Sequence, residues 1–183
     1  MPLDHLWATW RSNYVTATAD SRAAFPEGEP ADGGTLFERI LRAPGSDRDR
    51  LVVHAGPTCF VLLNRFPYTS GAMMVLPQRG VPGLEDLTEV EHLELWATVR
   101  DAVVAAKAAF SPDGCNVGVN LGAAAGGSQS DHLHVHVVPR WVGDANFMTV
   151  AAETRTLPIA LPEAWDRLRA VWPHDSGSTA HPA

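Results

Sequence analysis

The stretch His132-Leu133-His134-Val135-His136-Val137-Val138 decides how this chain folds, because it alternates three imidazoles with apolar side chains. Alternation is the period of a β-strand, so the run predicts a strand with the histidines on one face and Leu133, Val135 and Val137 on the other. Same-face neighbours on such a strand lie roughly 6.5–7 Å apart, from about 3.3 Å of rise per residue. One face must meet a core, and the other carries imidazoles whose two nitrogens each need a partner. An ordinary core strand gains nothing from such a row, and chemistry explains it better.

Immediately upstream lies Asn120-Leu121-Gly122-Ala123-Ala124-Ala125-Gly126-Gly127-Ser128-Gln129-Ser130, a small, glycine-rich loop whose backbone can approach a ligand closely. Asn120, Ser128, Gln129 and Ser130 supply neutral hydrogen-bonding groups at its edges. Before the loop, Cys115–Leu121 reads as a strand. Thr88-x-x-Glu91 is a capping box, and Leu95, Val99, Val103, Ala106 and Phe110 form one apolar stripe after it. That helix ends at Ser111-Pro112-Asp113-Gly114.

Further upstream, Leu51–Ala55 and Cys59–Asn64 read as strands joined at Gly56-Pro57, and Met73–Leu76 as a third stopped by Pro77. A short helix is expected over Leu36–Arg42, ended by Pro44-Gly45, followed by a charged, exposed Ser46–Arg50. Pro162–Trp172 makes a last helix, and the tail from Pro173 is expected to fray. The order β-β-β-α-β-loop-β fits an α+β domain, an antiparallel sheet of about five strands with one long packed helix. The expected organisation is an N-terminal extension over 1–32, the domain proper over 33–150, and a C-terminal helix and tail over 151–183.

The 183 residues suit one medium domain, and 45% hydrophobic content is ordinary for a globular chain. A net charge of −7 gives no basic field for long nucleic acid. Local dipoles and a few side chains can still hold a small phosphate. No apolar run approaches the ~20 residues that span a bilayer, so no membrane association is expected. The opening MPLDHLWATWRSNYV lacks a basic segment followed by an apolar one, which argues against a signal peptide and for a cytoplasmic protein. Cys59 and Cys115 form no CxxC, and two free buried thiols are expected.

Three aligned histidines admit two chemistries. A pair at i and i+2 can ligate one metal ion, but the outer two of three sit ~13 Å apart by strand rise, too far to close on one ion without bending the strand. Alternatively, a neutral imidazole attacks phosphorus and forms a phosphoramidate that water or another acceptor resolves. Its neighbours then donate hydrogen bonds as charge builds on the phosphoryl oxygens.

The run matches throughout the His-φ-His-φ-His-φ-φ signature, with φ apolar, and the chain resembles the histidine triad superfamily over roughly residues 35–149. NRFPYTSG, MMVLP, NVGVNLG and HLHVHVVPRWVGDANF are most similar to the bacterial diadenosine-tetraphosphate phosphorylase branch. The resemblance implies a nucleotidyl hydrolase or transferase in which His134 attacks the α-phosphate, while His132 and His136 orient it and stabilise the phosphoryl oxygens. It also implies that Asn64 meets the ribose hydroxyls, and that Asn120 with Ser128, Gln129 and Ser130 meets phosphate and leaving group. Phe37 and Ile40 become candidates for a base pocket, with ordinary core burial as the competing reading. A small-molecule nucleotide is the expected partner, no cofactor is required, and a homodimer is expected, with Trp7, Trp10, Trp141 and Trp172 as candidate interface residues and ordinary burial as the competing reading.

Three departures stand out. Relatives usually carry Gly-His on the earlier strand, where this chain has Gly71-Ala72. Many relatives have a CxxC that helps bind structural zinc, and the matching Thr35-Leu36-Phe37-Glu38 has no cysteine, so no metal is expected. Many hydrolases place Gln four residues before the first histidine, where Ser128 stands here and Gln129 follows. These departures keep open a nucleoside phosphoramidate hydrolase, a specialised nucleotidyl transferase and a catalytically silent nucleotide-binding protein.

Overall fold

A computed structural model describes residues 33–126, 129–144 and 158–173. The expected extension over 1–32, Ser128, Trp7, Trp10 and the tail beyond Pro173 lie outside the described residues. Helix α1 spans Leu36–Arg42, as its spacing predicts, and opens on a capping box in which Thr35 and Glu38 satisfy each other's backbone amides. Charged Ser46–Arg50 turns out to hold a short helix, α2 (Asp47–Arg50), opened by the same reciprocal device between Ser46 and Asp49. Leu51 ends it in the left-handed region at φ 63°, so the first strand starts one residue later than expected.

Five strands form one antiparallel sheet: β1 (Val52–Ala55), β2 (Cys59–Leu63), β3 (Met73–Pro77), β4 (Gly114–Val119) and β5 (Val135–Arg140). Their spatial order is β1-β2-β3-β5-β4, so the histidine-bearing strand enters between β3 and β4. Helix α3 (Glu89–Phe110) crosses from β3 to β4, and helix α4 (Leu161–Val171) packs beside it. Leu95, Val99, Ala102, Ala105 and Ala106 of α3 meet Val61, Leu63, Met73, Val75, Leu133, Val135 and Val137 in the main core. The expected stripe is thus rotated slightly: Ala102 is fully buried, whereas Val103 and Phe110 pack at its margin. Each large apolar side chain buried here is worth about 1.5–3 kcal/mol. Trp172 is 4% exposed and belongs to this core, so of the two readings open to it, interface or ordinary burial, burial holds.

The opposite sheet face carries a smaller cluster of Val52, Phe60, Leu62, Met74 and Leu76 under Phe37 of α1. Cys59 is buried and Cys115 half-buried, and both are free thiols, so only the first matches the expected burial.

Glu91 gives the fold a measurable acid sensitivity. Its carboxylate accepts two hydrogen bonds from Arg79, at 2.6 and 2.8 Å, and also accepts from the Thr88 amide and hydroxyl. The Arg79 guanidinium foremost, then Thr88, hold its pKa down to about 2, against 4.5 for an ordinary glutamate. A carboxyl depressed on folding stabilises above its unfolded value, and that stability is lost as the pH falls from 4.5 towards 2. Urea melts across this window should show wild type losing on the order of 2–3 kcal/mol more than Glu91→Gln. Parallel losses in the two proteins would assign the sensitivity to other groups.

Candidate active site

The ladder pairing Val75 with Val135 and Met74 with His136 fixes which face each imidazole takes. Met74 and Leu76 belong to the Phe37 cluster, so the histidines share the face beneath α1, while Leu133, Val135 and Val137 enter the helix-side core. The predicted alternation therefore stands, but the strand itself is shorter than expected. It begins at Val135, and His132, at a bend, and His134 lie in the segment leading into it. Hydrogen bonding outside the ladder accounts for this: the Pro77 carbonyl takes His132 Nε2 at 2.8 Å, and the Leu133 amide donates to Val81 O at 2.6 Å.

Each imidazole has a different environment. His132 is 1% exposed, with Nδ1 2.5 Å from Thr35 Oγ1 and Nε2 on Pro77 O. Both its nitrogens are thereby taken up inside the protein. Burial foremost lowers its pKa, so the ring is neutral. His134 Nδ1 lies 2.8 Å from the carbonyl of His132. A carbonyl oxygen can only accept, so Nδ1 carries the proton and Nε2 presents a bare lone pair. His136 packs edge-on against His134, with ring centroids 5.0 Å apart. Burial first, then the neighbouring His134, push its pKa down to about 4. Among the described residues neither of its nitrogens takes a hydrogen bond, so they remain available to a ligand.

Aromatic rings bracket this row. Phe37 is buried against His132 and His134, at 5.3 and 5.5 Å between centroids. Ile40 packs on the same apolar cluster. Tyr68, which the sequence reading passed over, meets His136 edge-on at 5.8 Å from the loop between β2 and β3. Nothing in its sequence position separates it from an ordinary turn tyrosine.

Asn120 follows β4 directly, and the Val119–Val135 pair puts it level with His134 on the adjoining strand. Asn64 lies one residue beyond β2, across β3 from β5, and its Oδ1 accepts the Phe66 amide at 2.9 Å. Gln129 is half-buried and Ser130 exposed in the loop entering the triad. Gly122 and Gly126 take φ of 74° and 92° around a one-turn 3-10 helix at Ala123–Ala125, and such positive φ favours glycine. Ala72 is 1% exposed, its amide bonded to Thr69 O and its carbonyl to Asn64 N. The Thr35-Leu36-Phe37-Glu38 stretch forms the capping box that opens α1.

Comparison with known proteins accords with this geometry. The HIT domain family model matches residues 46–142, just over half of the chain. The AP-4-A phosphorylase of Mycobacterium tuberculosis is 41% identical over 170 residues, covering 93% of this chain and 85% of that protein. The chain belongs to the HIT domain family. This HIT protein is also 38% identical over 82 residues to the asymmetrical bis(5'-nucleosyl)-tetraphosphatase of Schizosaccharomyces pombe, across 45% of this chain and 44% of that one. Among solved structures, a zinc-bound histidine triad family protein from Mycobacterium smegmatis superposes with a TM-score of 0.59 at 27% identity, over 74% of this chain and 91% of that one. Among the described residues of this HIT protein, no group of three or more His, Cys, Asp or Glu side chains is arranged to hold a metal ion.

Proposed function

We propose that this HIT protein cleaves dinucleoside polyphosphates of the diadenosine tetraphosphate type by nucleotidyl transfer through His134. The observation carrying this reading is the His134 Nδ1–H bond to the His132 carbonyl, which leaves Nε2 as an unprotonated nucleophile. Its lone pair forms a bond to the α-phosphorus as the bond to the bridging oxygen breaks, and the remaining nucleotide departs with that oxygen. Positive charge developing on the imidazole is stabilised where Nδ1–H meets the carbonyl. An acceptor then attacks phosphorus and displaces His134. His136 and Asn120 flank the nucleophile and suit the phosphoryl oxygens, with Gln129 and Ser130 on the leaving-group side. Asn64 suits the ribose, and Phe37 with Ile40 the wall nearest the base.

The 41% identity to an AP-4-A phosphorylase favours phosphate as the acceptor. The diagnostic experiment is product analysis by mass after incubation with diadenosine tetraphosphate, with and without inorganic phosphate. ADP plus ATP formed only with phosphate is the expected result. AMP plus ATP without phosphate makes water the acceptor of the same intermediate, and no turnover in either tube overturns the substrate assignment.

We further read the protein as a cytoplasmic homodimer. β4 is a sheet edge with Val117 44% exposed, and α3 leaves Leu93 and Val104 at 64% and 49% exposure, an apolar surface suited to a second copy. Among the described residues no helix is long and apolar enough to cross a membrane.

A further inference from the structure

Thr35 joins the start of α1 to the first triad histidine, and its hydroxyl does more than cap that helix. Because Pro77 O fixes the proton of His132 on Nε2, Nδ1 is bare and the Thr35 hydroxyl donates to it. The same oxygen accepts the Glu38 amide at 3.3 Å, so its proton and one lone pair are both committed. The geometry points to Thr35 as a positioning residue for nucleotidyl transfer, whose hydroxyl holds His132 in its neutral Nε2–H tautomer and so steadies the carbonyl that sets the tautomer of His134.

The surroundings are built to keep that contact. Glu38 accepts the Thr35 amide at 2.7 Å through one carboxylate oxygen and the Gly80 amide at 3.0 Å through the other, clipping the start of α1 to the segment after β3. A Cβ on Gly80 would lie 2.4 Å from Thr35 Cγ2, so glycine allows the two segments to meet. Next along the chain, Val81 O holds the amide that follows His132. The His132 peptide is thereby gripped through its ring by Thr35 and Pro77 and through the next amide by Val81. At 1% exposure, bulk water cannot substitute for a lost hydroxyl on Nδ1.

An isosteric Thr35→Val removes the donor and keeps the shape, whereas Thr35→Ser keeps both the donor and the helix cap. Long-range proton–nitrogen NMR spectra of the full chain labelled with 15N-histidine report each imidazole's tautomer, alongside kcat and KM for diadenosine tetraphosphate. We expect Nε2–H at His132 and Nδ1–H at His134 in the wild type. Thr35→Val should move His134 to mixed tautomers and lower kcat about tenfold, the rate equivalent of one hydrogen bond, with little change in KM. Thr35→Ser should restore both readings.

Wild-type kcat in Thr35→Val overturns the assignment, as does a fall in kcat with His134 still wholly Nδ1–H, or Thr35→Ser behaving like the valine variant. If the valine variant does not fold, the wild-type spectrum still decides, because an Nδ1–H tautomer at His132 leaves no lone pair for the Thr35 hydroxyl to donate to and overturns the assignment. This inference rests on the proposed reaction only for its kinetic arm. The spectra need no substrate, so absence of turnover in the wild type would remove the substrate assignment and leave the positioning test intact.

Discussion

His134→Ala should lower turnover of diadenosine tetraphosphate by roughly four orders of magnitude or more, the scale of losing a covalent nucleophile. The reason is specific to its position. Among the three triad imidazoles, His132 has both nitrogens bound within the protein, and His136 sits a row further along β5. Only His134 combines a proton fixed on Nδ1 with a bare Nε2. Truncation also removes its ring contacts with Phe37 and His136, at a cost of about 1–3 kcal/mol, which a folded domain of this size tolerates. Circular dichroism should therefore show a native fold with a modestly lower Tm. His132→Ala should behave differently, destabilising the protein more because it strands Thr35 and Pro77 in a buried site. A His134→Ala protein retaining even a tenth of wild-type turnover would remove the nucleophile from the scheme.

Much of this arrangement is legible in the chain, and the misses have local causes. Alternation in the 132–138 run predicts which side chains face the helix-side core, and Leu133, Val135 and Val137 all lie there. It cannot reveal that the imidazoles take hydrogen bonds that a ladder would otherwise use, which is why β5 opens only at Val135. Thr88 and Glu91 announce the long helix, since a capping box is a local motif. Ser46 and Asp49 open a helix of one turn by the same device, but four charged residues without an apolar stripe give no periodicity to read. The Thr35–His132 contact spans 97 residues of sequence and depends on how α1 docks. Local pattern gives the helix and its cap, while the docking that brings Thr35 to Nδ1 is a tertiary event.

Gly71→Ala should cost roughly 2–4 kcal/mol, as the sum of a positive-φ penalty and an overpacking penalty. Gly71 sits at φ 76°, a region that alanine enters at a cost. An added Cβ would also lie 2.2 Å from Phe110 Cε2 and 2.8 Å from two further ring atoms. Phe110 ends α3 and packs at the core's margin, so its ring can yield only by giving up contacts there. The two penalties separate in a double-mutant cycle. In a Phe110→Ala background the steric part disappears, and Gly71→Ala should then cost only about 1 kcal/mol. Equal costs in both backgrounds would place the whole effect in the backbone and dismiss the ring contact. The consequence reaches the site through the β2–β3 turn, which carries Asn64 at one end and Tyr68 against His136 in its middle. A shift of Gly71 displaces Ala72, whose carbonyl holds the Asn64 amide, so the variant should raise KM beyond what its lost stability explains. Glycine at 71 is thus required by the end of α3, and the residue beside it carries the backbone link to Asn64.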